Sequence, residues 1–381
     1  MKRKLLLTAA ALFTAVIAFG QQPLPNDPEV KTGKLDNGMT YYIRHNALPE
    51  GRAEFYLATN AGAIQETPDQ DGLAHFLEHM CFNGLKNLPG KQMLEYLQHI
   101  GAEFGRNINA STGVEHTQYM LNNMPVTREG ILDTCLLVMH DYSHFVLNDP
   151  KEIDAERGVI LEEKRTRNTA GWRMFEQSAP YLYGKDSKYA GCTVIGSEEN
   201  LKTFKPSSLE TFYKTWYQPD MQALIIIGDI DVEQVYNKVV KLFSDIPAPA
   251  QPTVKVMPKV EMNEQPVVGI LTDPENTYTG YEIVWKLGEP MPNEINASIQ
   301  GYSIRALESI IEGVMSERFN DITTKPGAPF IGAGLGLYDL TETCYALTGN
   351  LNCENAKALE ALKAYLIEVE KAKRFGFTDD E

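Results

Sequence analysis

Two histidines four residues apart, with a glutamate directly before the second, stand in "GLAHFLEHMCFNG" (Gly72 to Gly84). On an α-helix, residues i and i+4 share one face a turn apart, so the rings of His75 and His79 can converge on a single cation. Glu78 lies beside them without being needed as a ligand, and is placed to take a proton from water. At roughly 100° per residue, His75, Glu78 and His79 gather on one side of the helix. Leu73, Phe76, Leu77 and Met80 gather about 160° away on the other. The spacing admits two meanings: a metal centre opposite a packed face, or the polar side of an ordinary surface helix.

A catalytic zinc takes three protein ligands and keeps one position open, so a third ligand is to be sought. It is offered by "ERGVILEEKR" (Glu156 to Arg165). Glu156 and Glu163 are two helical turns apart, with Ile160 between them on the same face. A carboxylate beside an aliphatic residue is expensive to bury unless something pairs with it, as a zinc ion would. The run Glu162, Glu163, Lys164, Arg165 fits a solvated surface helix equally well, and spacing leaves that choice open. A second i, i+4 pair, His140 and His144 in "VMHDYSHF", has no glutamate in the equivalent place. Its aromatic neighbours Tyr142 and Phe145 indicate packing. His45, His99 and His116 are isolated and read as structural or surface residues.

Around these residues the pattern alternates between strands and helices. "RAEFYLAT" (52–59) alternates as a strand does, the histidine-bearing helix follows, and a second helix is expected at about 90–100. "NINASTGVEHTQYML" reads as extended, with Thr117, Tyr119 and Leu121 in alternation. After a helix at about 128–145, Asp149 is placed to cap a new one with Pro150 in its first position and Glu152 closing a capping box. "ALIIIGDID" is a buried strand, and Asp231 and Gln234 stand at capping-box spacing before a helix to about Phe243. The proline-spaced "IPAPAQPTVKVMPKV" (Ile246 to Val260) is an extended connector. Strands near 266–272 and 280–287, a helix near 300–320, strands near 329–352 and a helix from 354 follow, loosely echoing the first half. The organisation expected is a first domain at 28–247, a linker at 248–260 and a second domain at 261–381. The final "GFTDDE" reads as a loop opening a further helix, so the second domain is expected to be truncated.

The start has another purpose. "MKRK" and the apolar run Leu5 to Phe19, ending in Ala18-Phe19-Gly20, read as a signal peptide at 1–20 and imply export to the periplasm. The run is short for a membrane span and polar residues follow at once, so no span is expected after cleavage. Cleavage would leave 32 bases against 51 acids, a formal charge of −19, which argues against nucleic acid as a partner. Five cysteines do not make a disulfide framework. Cys81 falls on the apolar helix face, and Cys344 and Cys353 could meet only if "TGN" (Thr348 to Asn350) turned the chain, so no bridge is expected.

With these residues in place, a resemblance can be stated. "GLAHFLEHMCFNG" resembles the inverted zinc motif H-x-x-E-H of the insulinase/pitrilysin metallopeptidases, which include the mitochondrial processing peptidases. "NASTGVEHTQYML", "ERGVILEEKR" and "TVIGSEENLKTFKPSSLETFYKTWYQPDMQALIIIGDID" resemble further segments of that family's first domain. The likeness is strong over about 30–247 and weaker over 260–381. It implies an α+β fold of tandem αβ rolls, each an antiparallel sheet covered by helices. It implies one Zn²⁺ per catalytic domain, held by His75, His79 and Glu163, with Glu162 as runner-up. Glu156 becomes a supporting carboxylate and Glu78 the general base. Asn109 and Ala110 match positions whose backbone pairs with an extended substrate. The gap from His79 to Glu163 is somewhat longer than the family's, as a loop insertion would make it. The implied activity is endopeptidase cleavage of peptides or unfolded proteins in a chamber that selects by size. Family members complete their cleft with a second half, which supplies an arginine and a tyrosine to hold the substrate; here that half would have to come from elsewhere. The rival expectations are a non-catalytic peptide-binding subunit of the same family and a metal-binding structural domain without turnover.

Overall fold

The computed structural model describes residues 22–378 and 380–381; the signal peptide expected at 1–20 lies outside them. The elements begin with β1 (Val30–Lys34), β2 (Thr40–His45), β3 (Ala53–Thr59), α1 (Leu73–Met80), α2 (Gln92–His99), β4 (Ile108–Thr112) and β5 (Thr117–Met124). There follow α3 (Ile131–His144), α4 (Pro150–Arg167), α5 (Ala170–Tyr183), α6 (Glu198–Thr203), α7 (Pro206–Trp216), β6 (Gln222–Gly228) and α8 (Val232–Phe243). The last are β7 (Thr279–Gly288), α9 (Ile299–Thr323), β8 (Gly332–Thr341), β9 (Cys344–Cys353) and α10 (Ala358–Phe375). The fold is α+β. Two compact units share these elements: a first of Asn26–Trp172 and Gly191–Val256, and a second of Arg173–Ala190 and Met257–Glu381 with residues 22–25.

The first unit is built on a six-stranded sheet in the order β1-β2-β6-β3-β5-β4. Its ladders are antiparallel except β2 with β6, which run parallel. β3 and β6 bury every second residue, as a strand with one packed face must. Phe55, Leu57, Leu224 and Ile226 thus join Phe76 and Leu77 of α1, Tyr119 and Leu121 of β5, and Val239 and Phe243 of α8 in one core. Local chemistry sets the helix starts. Asp149 caps α4 by accepting from the Lys151 N–H with Pro150 in the first turn, and Asp231 caps α8 through the Gln234 N–H.

The second unit carries an antiparallel three-stranded sheet, β7-β9-β8. Its core is Met315, Phe319, Phe330, Leu351, Cys353, Ala361 and Tyr365, with Phe319 stacked on Tyr365 at 4.9 Å between ring centres. Cys344 and Cys353 sit at opposite ends of β9, so "TGN" lies inside a continuous strand and both remain buried free thiols.

Two expectations from sequence are corrected here. No strand forms at 266–272: Pro266 lacks an N–H, and Val267, Val268 and Ile270 stand exposed rather than paired. Residues 173–190, placed by sequence in the first domain, pack with the second unit. Arg173 is held by Asp273 at 2.7 Å and Glu275 at 2.8 Å, Gly269 lies against the Tyr181 ring, and the Glu261 N–H donates to the Tyr183 carbonyl. Among the described residues, no helix is long and apolar enough to cross a membrane.

Candidate metal centre

The short helix α1 owes its position to contacts at its N-terminus. The buried Glu66 carboxylate accepts from the Gly72 N–H at 2.9 Å and the Ala74 N–H at 2.7 Å, an anion where the helix's free N–H groups point. Gly72 itself has φ +90°, and a Cβ there would come within 2.7 Å of the Ile195 carbonyl oxygen. Gly72→Ala is expected to destabilise the chain by about 1–3 kcal/mol, since it adds left-handed strain and a clash with backbone. Urea unfolding of the two proteins measures this; a stability equal to the parent's would mean that the 195–196 loop yields freely.

α1 and α4 pack against each other and bring the candidate ligands together. One ligand atom from each of His75, His79 and Glu163 lies within 4.8 Å of the others. Glu163 Oε2 is 3.3 Å from His79 Nε2 and 3.7 Å from His75 Nε2. It is buried and aligned with neither ring well enough to hydrogen-bond. Its other oxygen is taken by Arg167, whose Nη2 lies at 2.5 Å. Two imidazole nitrogens and one carboxylate oxygen therefore face one point, and among the described residues the oxygen turned to it has no hydrogen-bond partner. That donor set fits a divalent cation of zinc's preference. Glu162 does not share the position; it is exposed and pairs with Arg165.

Behind the ligands lies a supporting chain. His79 Nδ1 is 2.8 Å from Glu156 Oε1, while Glu156 Oε2 accepts from Asn83 Nδ2 at 2.8 Å, and Lys91 donates to Asn83 Oδ1. A carboxylate on Nδ1 fixes the tautomer that leaves Nε2 free to ligate. The charges agree with this arrangement. Burial, with His79 as a second cause, pulls His75 down to about 4, so it is neutral near pH 7. Burial also acts against a charge on His79, but its hydrogen bond to Glu156 and the nearby Glu163 carboxylate outweigh that and raise it to about 9. The contact with His79 lowers Glu163. Burial raises Glu78, opposed by its hydrogen bond from the Thr112 hydroxyl.

Asn109 and Ala110 sit on β4, the edge strand of the sheet. Gly113 N–H donates to the His116 carbonyl and Asn122 N–H to that of Asn107. In the register Ala110↔Tyr119, this alternation turns the backbones of Ala110 and Thr112 toward the open edge. The Ala110 N–H is met at 2.9 Å by its neighbour's Asn109 Oδ1. The competing histidine pair belongs to the packing. His140 is buried between Asp141 at 2.9 Å and Asp245 at 2.7 Å and stacks on Phe145; His144 Nδ1 faces the Tyr217 carbonyl.

Glu66, Asn83, Lys91, Thr112 and Arg167 escaped the sequence reading. Arg167 and Asn83 follow Glu163 and His79 by four residues, a spacing that signals a helical partner. Thr112 has no such signal, since it reaches Glu78 only because β4 passes α1.

Two descriptions of one family match the chain: "Insulinase (Peptidase family M16)" over residues 43–177 and "Peptidase M16 inactive domain" over 203–381. The crystal structure of the periplasmic protease PqqL from Escherichia coli superposes with a TM-score of 0.81 at 28% identity, covering 94% of this chain and 39% of that one. The Haemophilus influenzae protein named "Probable zinc protease PqqL" is 37% identical over 63% of this chain and 25% of its own length. The ferredoxin protease FusC, solved with Arabidopsis ferredoxin, superposes with a TM-score of 0.76 at 26% identity, covering 94% of this chain and 39% of that one. The chain thus spans about two-fifths or less of the length of these relatives. Two family descriptions in tandem, relatives named as zinc proteases and this geometry agree: the chain belongs to the insulinase family of metallopeptidases, peptidase family M16.

Proposed function

We propose that this chain is the zinc-bearing part of an endopeptidase that hydrolyses peptides or unfolded proteins in the cell envelope. The observation that carries the reading is the convergence of His75 Nε2, His79 Nε2 and Glu163 Oε2 on one point, with the Glu78 carboxylate on the same helix face. In this reading His75, His79 and Glu163 hold one Zn²⁺ and Glu156 fixes the His79 ring. A bound zinc would supply Lewis acidity and bring water's pKa to about 7. Glu78 takes the proton as water attacks the scissile carbonyl and returns it to the leaving amine. Its burial supports that role, because it raises the carboxyl above its ordinary value and so makes the carboxylate a readier proton acceptor.

Of the expected pair Asn109 and Ala110, Ala110 would hold an extended substrate along β4, since its outward-turned backbone can pair with an added strand, whereas the Asn109 backbone faces β5. The Asn109 side chain now on the Ala110 N–H would then give way. A second half, on the same or another chain, would complete the cleft; the crystal structure titled the first half of PqqL, matched at a TM-score of 0.78, supports a two-half arrangement. Export through a signal peptide at 1–20 is part of the same reading and is supported by the description of PqqL from Escherichia coli as periplasmic.

The test is a quenched-peptide cleavage assay, with this chain alone and with a second half supplied. Chelator should abolish cleavage, and one equivalent of zinc should restore it. Cleavage that survives complete removal of zinc, or none with zinc and both halves present, would overturn the proposal.

A further inference from the structure

Glu78 is held from outside its own helix. The Thr112 hydroxyl of β4 donates to Glu78 Oε2, and among the described residues this is the hydrogen bond its carboxylate makes. A glutamate side chain has three rotatable bonds, so an unheld carboxylate would sweep through several positions. With Oε2 fixed, Oε1 is left as the oxygen for proton traffic. Thr112 is also the last residue of β4, whose backbone groups at Ala110 and Thr112 face the open edge. One residue thus joins the strand edge to the carboxylate.

We infer that Thr112 is a positioning residue of the proposed reaction. Its hydroxyl holds Glu78 Oε2 and so sets the direction from which Oε1 meets the attacking water. The inference rests on the peptidase reading above, and makes a demand of its own: the hydroxyl, not the bulk of residue 112, governs the rate. The hydrogen bond is charge-assisted and partly buried, the kind whose loss is felt most.

Thr112→Val keeps the shape and removes the hydroxyl, and Thr112→Ser keeps the hydroxyl. In the peptide assay, with the second half present where cleavage needs it, Thr112→Val should lower kcat on the order of tenfold to a hundredfold with KM within about twofold of the parent. Zinc content and the thermal midpoint should stay at the parent's values, and Thr112→Ser should recover most of kcat. Thr112→Ala serves as the second hydroxyl-free variant should valine disturb the strand. Parental kcat in the folded hydroxyl-free variants overturns the inference. So does a defect seen only in KM or zinc content, or a serine variant as slow as the valine one. Glu78→Gln run alongside separates the two ideas: if it cleaves, the peptidase role of Glu78 fails; if it is dead while Thr112→Val is fully active, only the role of Thr112 fails.

Discussion

Glu78→Gln will hold zinc as the parent does and will cleave a quenched peptide roughly a hundred- to ten-thousand-fold more slowly, the range spanned by loss of a proton-transfer group. The amide keeps the size of the side chain and can still accept the Thr112 hydrogen bond through its oxygen. What it cannot do is take up a proton near neutral pH. Glu78 is no member of the converging donor set, so the metal should be untouched. Full turnover in this variant would leave the centre without its base. Full loss of zinc would mean that the carboxylate acts as a ligand instead. A parent that binds zinc but cleaves nothing, even with a second half, would favour the metal-binding structural reading.

His79→Ala should fail differently, losing the metal itself. Its Nε2 is one of the two nitrogens facing Glu163 Oε2, and its Nδ1 is the partner of Glu156. Truncation would remove one of the three proposed ligands and leave the half-buried Glu156, among the described residues, with Asn83 as its hydrogen-bond partner. Zinc measured after dialysis should fall well below one per chain, with cleavage lost in parallel. Stoichiometric zinc in this variant would refute the assignment. Glu156→Gln is the graded comparison: it weakens the hold on the ring without removing a ligand, a change that typically costs about ten- to a hundredfold in metal affinity.

The histidine helix is the part of the site that spacing renders most faithfully. Leu73, Phe76, Leu77 and Met80 are buried, while Glu78 and His79 stay half-buried. Spacing is silent about His75, which is buried like its apolar neighbours though slightly less deeply, because depth depends on α4 lying across it. The same holds for the carboxylates. Periodicity sets Glu156 and Glu163 on one face, but only the packing of α4 on α1 decides which oxygen meets which ring. Where sequence misleads, the reason is a missing partner. "PVVGIL" has strand composition, yet a strand exists only through a neighbour, and Gly269 lies instead against the ring of Tyr181. The membership of 173–190 is unreadable for a similar reason, since Arg173 finds Asp273 a hundred residues further on.

The position of β6 has a consequence for the order in which the molecule can come into being. Every residue named in the proposed chemistry lies between His75 and Glu163, but β6, at Gln222–Gly228, separates β2 from β3 in the sheet. A nascent polypeptide that has delivered all of its reactive groups still owns two detached ribbons, β1-β2 and β3-β5-β4, with nothing to knit them. The wedge arrives some sixty residues after Glu163, and closing so long a loop is slow before it is rewarded. Competence therefore waits upon a segment with no part in the reaction.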